Sequence, residues 1–419
     1  MIKNAFKYIS VFFFLVVGYI FFGLIAWYLP DRKIQDSIAI SVEKGDIASD
    51  YPRAIVNKEM CRMDNCTDAL ILNQAYSAHR MSPMQSVMLV PSVGGDIRNV
   101  DDLEAVVAGV DEPVQTYARY WHGSTFLMRF LLLLVGRYAN IQLVLYYISS
   151  IVLLAMLVMA YRHSAARAAV AFVIAFLLLK GYVLQFSIQF FPVLMLACCG
   201  SIAAICFRSS PHKMQMAMFV VGSLTAYFDL LTTPLLTVGV PILIYMASNE
   251  KELQEMTVGT LTLTLLIPLI MWSVGYGCTW MVKWALATCF TSENVFASAL
   301  IVGQYRINGI VPQMGDYTIG DTFTSNLRKM PLILVAAAIA VLALLATFFH
   351  KRMNVKLMMV YVAVGLLPYL WFAVLANHSW VHCWFTYRAQ LVAVMAVVLT
   401  LSGMVDWTRL CSVIKKRNP

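Results

Sequence analysis

The segment Cys61-Arg-Met-Asp-Asn-Cys-Thr-Asp68 sets two carboxylates, Asp64 and Asp68, four residues apart. A carboxylate within hydrogen-bond reach of a hydroxyl can act as a general base. Thr67 is a good N-cap for a helix through Ala69, Leu72 and Tyr76, which would put Asp68 in the first turn, beside the positive end of the helix dipole. A positioned base needs a rigid mount, so Asp68 is the stronger candidate of the two. The simpler reading of the same residues is a loop helix stabilised by its acids. Asp31, in Leu29-Pro-Asp-Arg-Lys33 directly after the first apolar run, is a rival acid. Cys61 and Cys66 flank Asp64 and are expected to close a short disulfide ring or to remain thiols, with Cys278, Cys289 and Cys383 as competitors.

The candidate phosphate ligands are cationic. Tyr117-Ala-Arg-Tyr-Trp-His-Gly123 leads into Phe126 and Arg129, and at helical spacing Arg119, His122, Phe126 and Arg129 share one face, with Tyr120 and Trp121 at head-group depth. Arg suits this work because its fork pairs two phosphate oxygens; an interfacial belt with snorkelling Arg is the alternative. Arg388 ends Asn377-His-Ser-Trp-Val-His-Cys-Trp-Phe-Thr-Tyr-Arg388, where His378 and His382 stand at i and i+4. No third ligand lies near these histidines, so no metal is assigned to them. Contact with phosphate, or orientation of the acid pair, is expected instead. Asp229, in Thr225-Ala-Tyr-Phe-Asp-Leu-Leu-Thr-Thr-Pro234, is the one acid in or beside a long apolar run, where an idle charge is costly. Lys283 is its expected ion-pair partner, and a substrate-facing acid is the other reading.

The elements that position these groups follow from composition. Of 419 residues, 60% are hydrophobic and only 13% charged, and mean hydropathy is +0.73, so the chain is expected to be an all-α integral membrane protein. Apolar runs near 6–29, 139–161, 168–190, 192–207, 214–231, 233–247, 257–276, 331–349, 357–376 and 389–405 suggest about ten transmembrane helices. The chain then divides into a first anchor at 1–30, a large outer loop with interfacial helices at 31–123, a bundle of spans two to seven at 124–275, a second outer loop at 276–330, and three last spans with a cytoplasmic tail at 331–419. Within 168–207, Lys180, Gln185, Gln189 and Pro192 leave two spans and a re-entrant hairpin both open. The connections with Arg162 and Arg167, Arg208 and Lys213, Lys351, Arg352 and Lys356, and the tail Arg409 to Arg417 are basic, which puts both termini in the cytoplasm. The net charge of +9 reflects this topology and attraction to anionic lipid; it does not argue for nucleic acid. No 20- to 50-residue period repeats, which excludes a solenoid.

The large loop after span one and the islands Asp64-Asn-Cys-Thr-Asp68, Arg119-Tyr-Trp-His-Gly123, Phe228-Asp-Leu-Leu-Thr-Thr-Pro234 and Asn377-His-Ser-Trp-Val-His382 resemble the GT-C glycosyltransferases. In size and layout the chain is similar to the branch that glucosylates O-antigen. The resemblance implies an enzyme of the bacterial inner membrane, working at the outer face, that moves a sugar from a polyprenyl-phosphate carrier to a surface glycan. A carrier-sugar synthase and a flippase would be its partners. It implies that Asp64, Asp68 or Asp31 activates the acceptor hydroxyl and that Arg119, His122 and Arg388 hold the carrier phosphate, without a resident cofactor; a divalent cation is the less favoured option. A flippase or transporter for a lipid-linked sugar, or a non-enzymatic assembly subunit, are the competing classes.

Overall fold

Backbone groups in an apolar chain are satisfied most fully inside helices. The computed structural model, which describes residues 2–53, 61–95, 99–110, 112–310 and 315–417, is accordingly built of helices with one small sheet. Helix α1 (Ile2–Trp27) buries little beyond Tyr19 and Ala26 and turns Phe6, Ile9, Phe13 and Phe14 outward. A cap over one end of the bundle follows: α2 (Asp31–Glu43), α3 (Asn65–Tyr76), α4 (Pro83–Leu89) and α5 (Asn99–Val107). Strands β1 (Pro91–Val93) and β2 (Val114–Thr116) pair antiparallel with Ser92 opposite Gln115. Asn73 pins the sheet to α3, its Nδ2 donating to the Val93 carbonyl at 2.7 Å and its Oδ1 accepting from the Val93 amide at 2.9 Å.

The bundle continues through α6 (Gly123–Val135), α7 (Tyr138–Arg162), α8 (Ala166–Leu178), α9 (Phe191–Cys206), α10 (Pro211–Phe228), α11 (Leu236–Ser248), α12 (Glu250–Glu255) and α13 (Val258–Phe290). It closes with α14 (Val295–Asn308), α15 (Ile319–Arg328), α16 (Leu332–Phe348), α17 (Val355–Gly365), α18 (Leu367–Val374), α19 (Ala376–Val381), α20 (Cys383–Thr386), α21 (Leu391–Gly403) and α22 (Trp407–Arg417). Every residue of α11 from Leu236 to Ala247 is buried, so this helix forms the centre. Helices α10 and α13 cross where two glycines meet the opposite backbone. A Cβ on Gly222 would fall 2.0 Å from the Trp272 carbonyl oxygen, and one on Gly275 2.1 Å from that of Phe219.

The expectation of ten spans is corrected. Among the described residues five helices are long and apolar enough to cross a membrane, at Ala5–Trp27, Tyr138–Arg162, Val258–Phe290, Val355–Val374 and Cys383–Gly403; the pair α15 and α16, bent by 79°, would make a sixth. Of the other expected runs, 214–231 folds as α10, which does not pass as a span, and three fold as α8, α9 and α11, of 13, 16 and 13 residues. At 1.5 Å per residue these three reach only ~20 to 24 Å, short of the ~30 Å of hydrocarbon. In 168–207 the break falls at Lys180, whose φ of 55° ends α8 and starts a buried 3-10 turn from Gly181 to Gln185 before Pro192 opens α9.

The basic connections gather at the end of the bundle opposite the cap. Arg167 pairs with Glu250, Arg208 donates to the His163 carbonyl, and Lys356 donates to the carbonyls of Gln254 and Met256 at 3.1 and 2.7 Å. His350 bridges to Val405 just before α22.

Candidate active site

The entry to α3 builds the site. Asp64 is its N-cap, accepting from the Thr67 amide at 3.0 Å and the Thr67 hydroxyl at 2.8 Å. The sequence expectation made Thr67 the cap; the helix instead starts at Asn65, because a carboxylate three residues back reaches the open amide of Thr67. Asp68 does fall in the first turn. Asp64 is buried yet lines a cleft of about 430 Å³ between the cap and the bundle, and among the described residues it is the one carboxylate that does so. Burial raises its pKa to about 6 despite the two bonds from Thr67.

Asp68 faces away from the cleft. It accepts from the Tyr138 hydroxyl on α7, the Ser187 hydroxyl at 2.9 Å, the Ile188 amide at 3.0 Å and the Gln189 amide at 3.1 Å. Burial raises its pKa to about 7. Its four donors make it a cross-link that fixes α3 to the turn after α8, and that turn presents Gln189 to the cleft.

The far wall carries two cations. Arg119 lines the cleft with no carboxylate paired to it among the described residues. Arg306, near the end of α14, donates through Nη1 to Nδ1 of His378 at 2.8 Å and Nε2 of His382 at 3.2 Å. A guanidinium only donates and the Leu231 carbonyl only accepts, so His378 must accept at Nδ1 and donate from Nε2 to Leu231, at 2.7 Å. That is the neutral tautomer. Burial, His382 and Arg306 together depress the His378 pKa well below the usual imidazole value, and burial with Arg306 brings His382 down to about 3. The two histidines therefore hold the Arg306 guanidinium between them. Sequence reasoning missed Arg306, although it is the single charge in the otherwise uncharged run Val295 to Ile310.

Arg119 and Arg306 also line a second, apolar groove of about 350 Å³ walled by Tyr276, Trp280, Trp284 and Trp371. Polar cleft and aromatic groove thus meet at two guanidinium groups. On the polar side, Tyr51 and Trp384 line the cleft and stack about the Arg62 guanidinium, 3.8 and 4.5 Å from their ring centres.

The other expected site residues lie elsewhere. Asp31 begins α2 and bonds Arg129 at 3.0 Å and His79 at 2.8 Å. Arg129 is buried and also donates to the carbonyls of Ala26 and Ala75, so it ties α1, α2 and α3 and does not reach the cleft. The expected shared face of Arg119, His122 and Arg129 does not form, because α6 starts only at Gly123, after His122 at a φ of 56°. His122 donates from Nε2 to the Tyr117 carbonyl at 2.9 Å, and burial, with Lys283 next, lowers its pKa to about 3. Trp121 is buried and donates to the Thr279 carbonyl at 2.8 Å, and Tyr120 is buried too, so neither is an exposed anchor.

Asp229 and Lys283 do not pair. Asp229 caps its own turn by accepting from the Thr232 amide at 3.0 Å, whereas the Lys283 ammonium donates to the carbonyls of Val87 and Met88, at 3.0 and 2.8 Å, at the C-terminal end of α4. Arg388 is buried, donates to the Arg62 carbonyl at 3.3 Å and packs against the rings of Phe190 and Tyr387. Cys61 and Cys66 are separate thiols: Cys61 lies 3.1 Å from the Tyr182 hydroxyl, and Cys66 accepts from Asn99 at 3.3 Å. Among the described residues no three His, Cys, Asp or Glu side chains converge.

No family model, curated protein or solved structure matches this chain. The geometry of the cleft and the short motifs therefore carry the functional reading.

Proposed function

We propose that this chain is a membrane glycosyltransferase of the GT-C kind, which moves a hexose, glucose being the first candidate, from a polyprenyl-phosphate carrier to a hydroxyl of a surface glycan such as O-antigen. The observation that carries the reading is the junction: a polar cleft lined, among the described residues, by the single carboxylate Asp64 joins an aromatic groove through Arg119 and Arg306. A polyprenyl-phosphate sugar has that same order of parts. Its isoprenoid chain suits the groove, its phosphate the two cations, and its sugar the cleft with Asp64. In the step proposed, the acceptor hydroxyl oxygen bonds to the anomeric carbon while the bond from that carbon to the phosphate oxygen breaks. The electron pair leaves on the polyprenyl phosphate, whose charge the guanidinium groups stabilise, and the hydroxyl proton passes to Asp64. The cleft would open at the outer face of the bacterial inner membrane, with both termini in the cytoplasm.

The test is transfer from a synthetic polyprenyl-phosphate glucose to an O-antigen acceptor by the purified protein in liposomes. Sugar transfer that is lost in Asp64→Asn supports the reading. A transporter of the lipid-linked sugar would move its cargo across the liposome membrane with Asp64→Asn unimpaired and make no new glycosidic bond.

A further inference from the structure

At the end of the bundle opposite the cleft, α1, α10 and α13 leave another opening, of about 410 Å³, between them. Lys7 and Tyr8 line it from α1, His212, Lys213 and Gln215 from the first turns of α10, and Met271 from α13. No acid lines it, and neither lysine pairs with a carboxylate among the described residues. The 18 residues of α10 separate this opening from the cleft by about 27 Å, so it is a different site. Two ammonium groups and an imidazole around an opening without a counter-charge call for an anion. Beside them α1 exposes Phe6, Ile9 and Phe13, so the basic rim borders apolar helix surface. A ligand that meets both surfaces has an anionic head and hydrocarbon tails.

We propose that this opening holds the phosphate headgroup of an anionic phospholipid, its tails lying along α1. Basic recesses between membrane helices take such headgroups, and each cation near them adds attraction. The bound lipid bridges α1 to α10, which matters because only 17% of the α1 span is buried inside the protein.

Native mass spectrometry of the full-length protein tests this, with phosphatidylglycerol and phosphatidylcholine of identical acyl chains as probes. The expected result is at least about tenfold preferential retention of phosphatidylglycerol, falling to parity in the double variant Lys7→Gln, Lys213→Gln. Both lysines are exposed, so the variant should fold. As a second measurement on the unaltered protein, the preference should fall as ionic strength rises. Equal retention of the two lipids, or an unchanged preference in the double variant, overturns the proposal. Displacement of phosphatidylglycerol by millimolar inorganic phosphate supports the phosphate contact. If inorganic phosphate raises thermal stability as much as the lipid does, a free anion is the source and the lipid assignment fails.

Discussion

Asp64 caps α3 and faces the cleft with the same carboxylate, so its two roles separate by substitution. Burial raises its pKa in the folded chain from 3.8 to about 6, so the fold holds this proton more tightly than the unfolded chain does. The resulting stability is full below the unfolded value, is lost as pH rises through about 6, and leaves the buried carboxylate a net cost at neutral pH. Asparagine still caps a helix and removes that charge. Asp64→Asn should therefore melt at or above the parent temperature at pH 7.5 while transferring sugar at least about a hundredfold more slowly, and parental transfer should decline as pH falls through about 6. Asp68→Asn should do the reverse of a clean catalytic variant. Its amide keeps one accepting oxygen but would turn N–H groups towards two of the four donors, and each buried donor left unpaired costs ~1 to 3 kcal/mol, so the protein should accumulate poorly. The spacing of the two acids was legible in the sequence; which one faces the cleft was not, because the partners of Asp68 are Tyr138 and the turn at Ser187 to Gln189, far along the chain. The histidines were legible as a pair, but their partner Arg306 comes from another helix. If His382 serves as a neutral acceptor for Arg306, His382→Gln, whose amide oxygen replaces Nε2, should keep donor KM within a few-fold, whereas His382→Phe should raise it about tenfold or more at similar melting temperature. Equal KM values in the two variants would remove His382 from the positioning of Arg306.

Helices were the easiest elements to anticipate and their lengths the hardest. Hydropathy registers composition, so the runs that became α8 and α9 read as two spans or a re-entrant hairpin, whereas Lys180 and Pro192 confine them to 13 and 16 residues around a buried turn. Such short helices persist at the centre because protein, more than lipid, surrounds them, as the fully buried stretch Leu236 to Ala247 of α11 illustrates. The cap was less legible still. Residues 31–123 were expected to hold interfacial helices, yet the β1–β2 pairing that fixes Ser92 and Gln115 at the cleft depends on three-residue strands held by Asn73. Where an element is set by close approach, a small substitution should act strongly. Gly222→Ala puts a methyl 2.0 Å from the Trp272 carbonyl oxygen, which is backbone and cannot swing aside. The α10–α13 crossing must open, at a cost of ~1 to 3 kcal/mol. A lower melting temperature in detergent is the expected readout. Transfer should weaken with it, because the turn after α10 supplies Leu230 and Leu231 to the cleft and the groove.

For the whole molecule the decisive feature is its polarity. The cap, Asp64, Arg119, Arg306 and the His378 to Trp384 turn meet at one end, while Arg167, Arg208, Lys356 and the start of α22 meet at the other. The basic loops were readable from the sequence one at a time, and the fold brings them together even though fewer helices than expected are long enough to cross. The positive-inside rule reads loop charge near the ends of the spans and not their number, so it still supplies an expectation of sides. It predicts that the cleft faces outwards. Cys289, exposed one residue before the end of α13 on the side of Trp284 and the groove, and Cys411, exposed on α22, report the two ends. In intact cells a membrane-impermeant maleimide should modify Cys289 and spare Cys411 until the membrane is permeabilised. Cys66, which is half-buried in the cleft wall and bonded to Asn99, should react slowly from the same side, and its modification should slow transfer by crowding the space beside Asp64. Labelling of Cys411 in intact cells, with Cys289 protected, would reverse the orientation. The cleft would then open to the cytoplasm, and a surface glycan would be out of its reach.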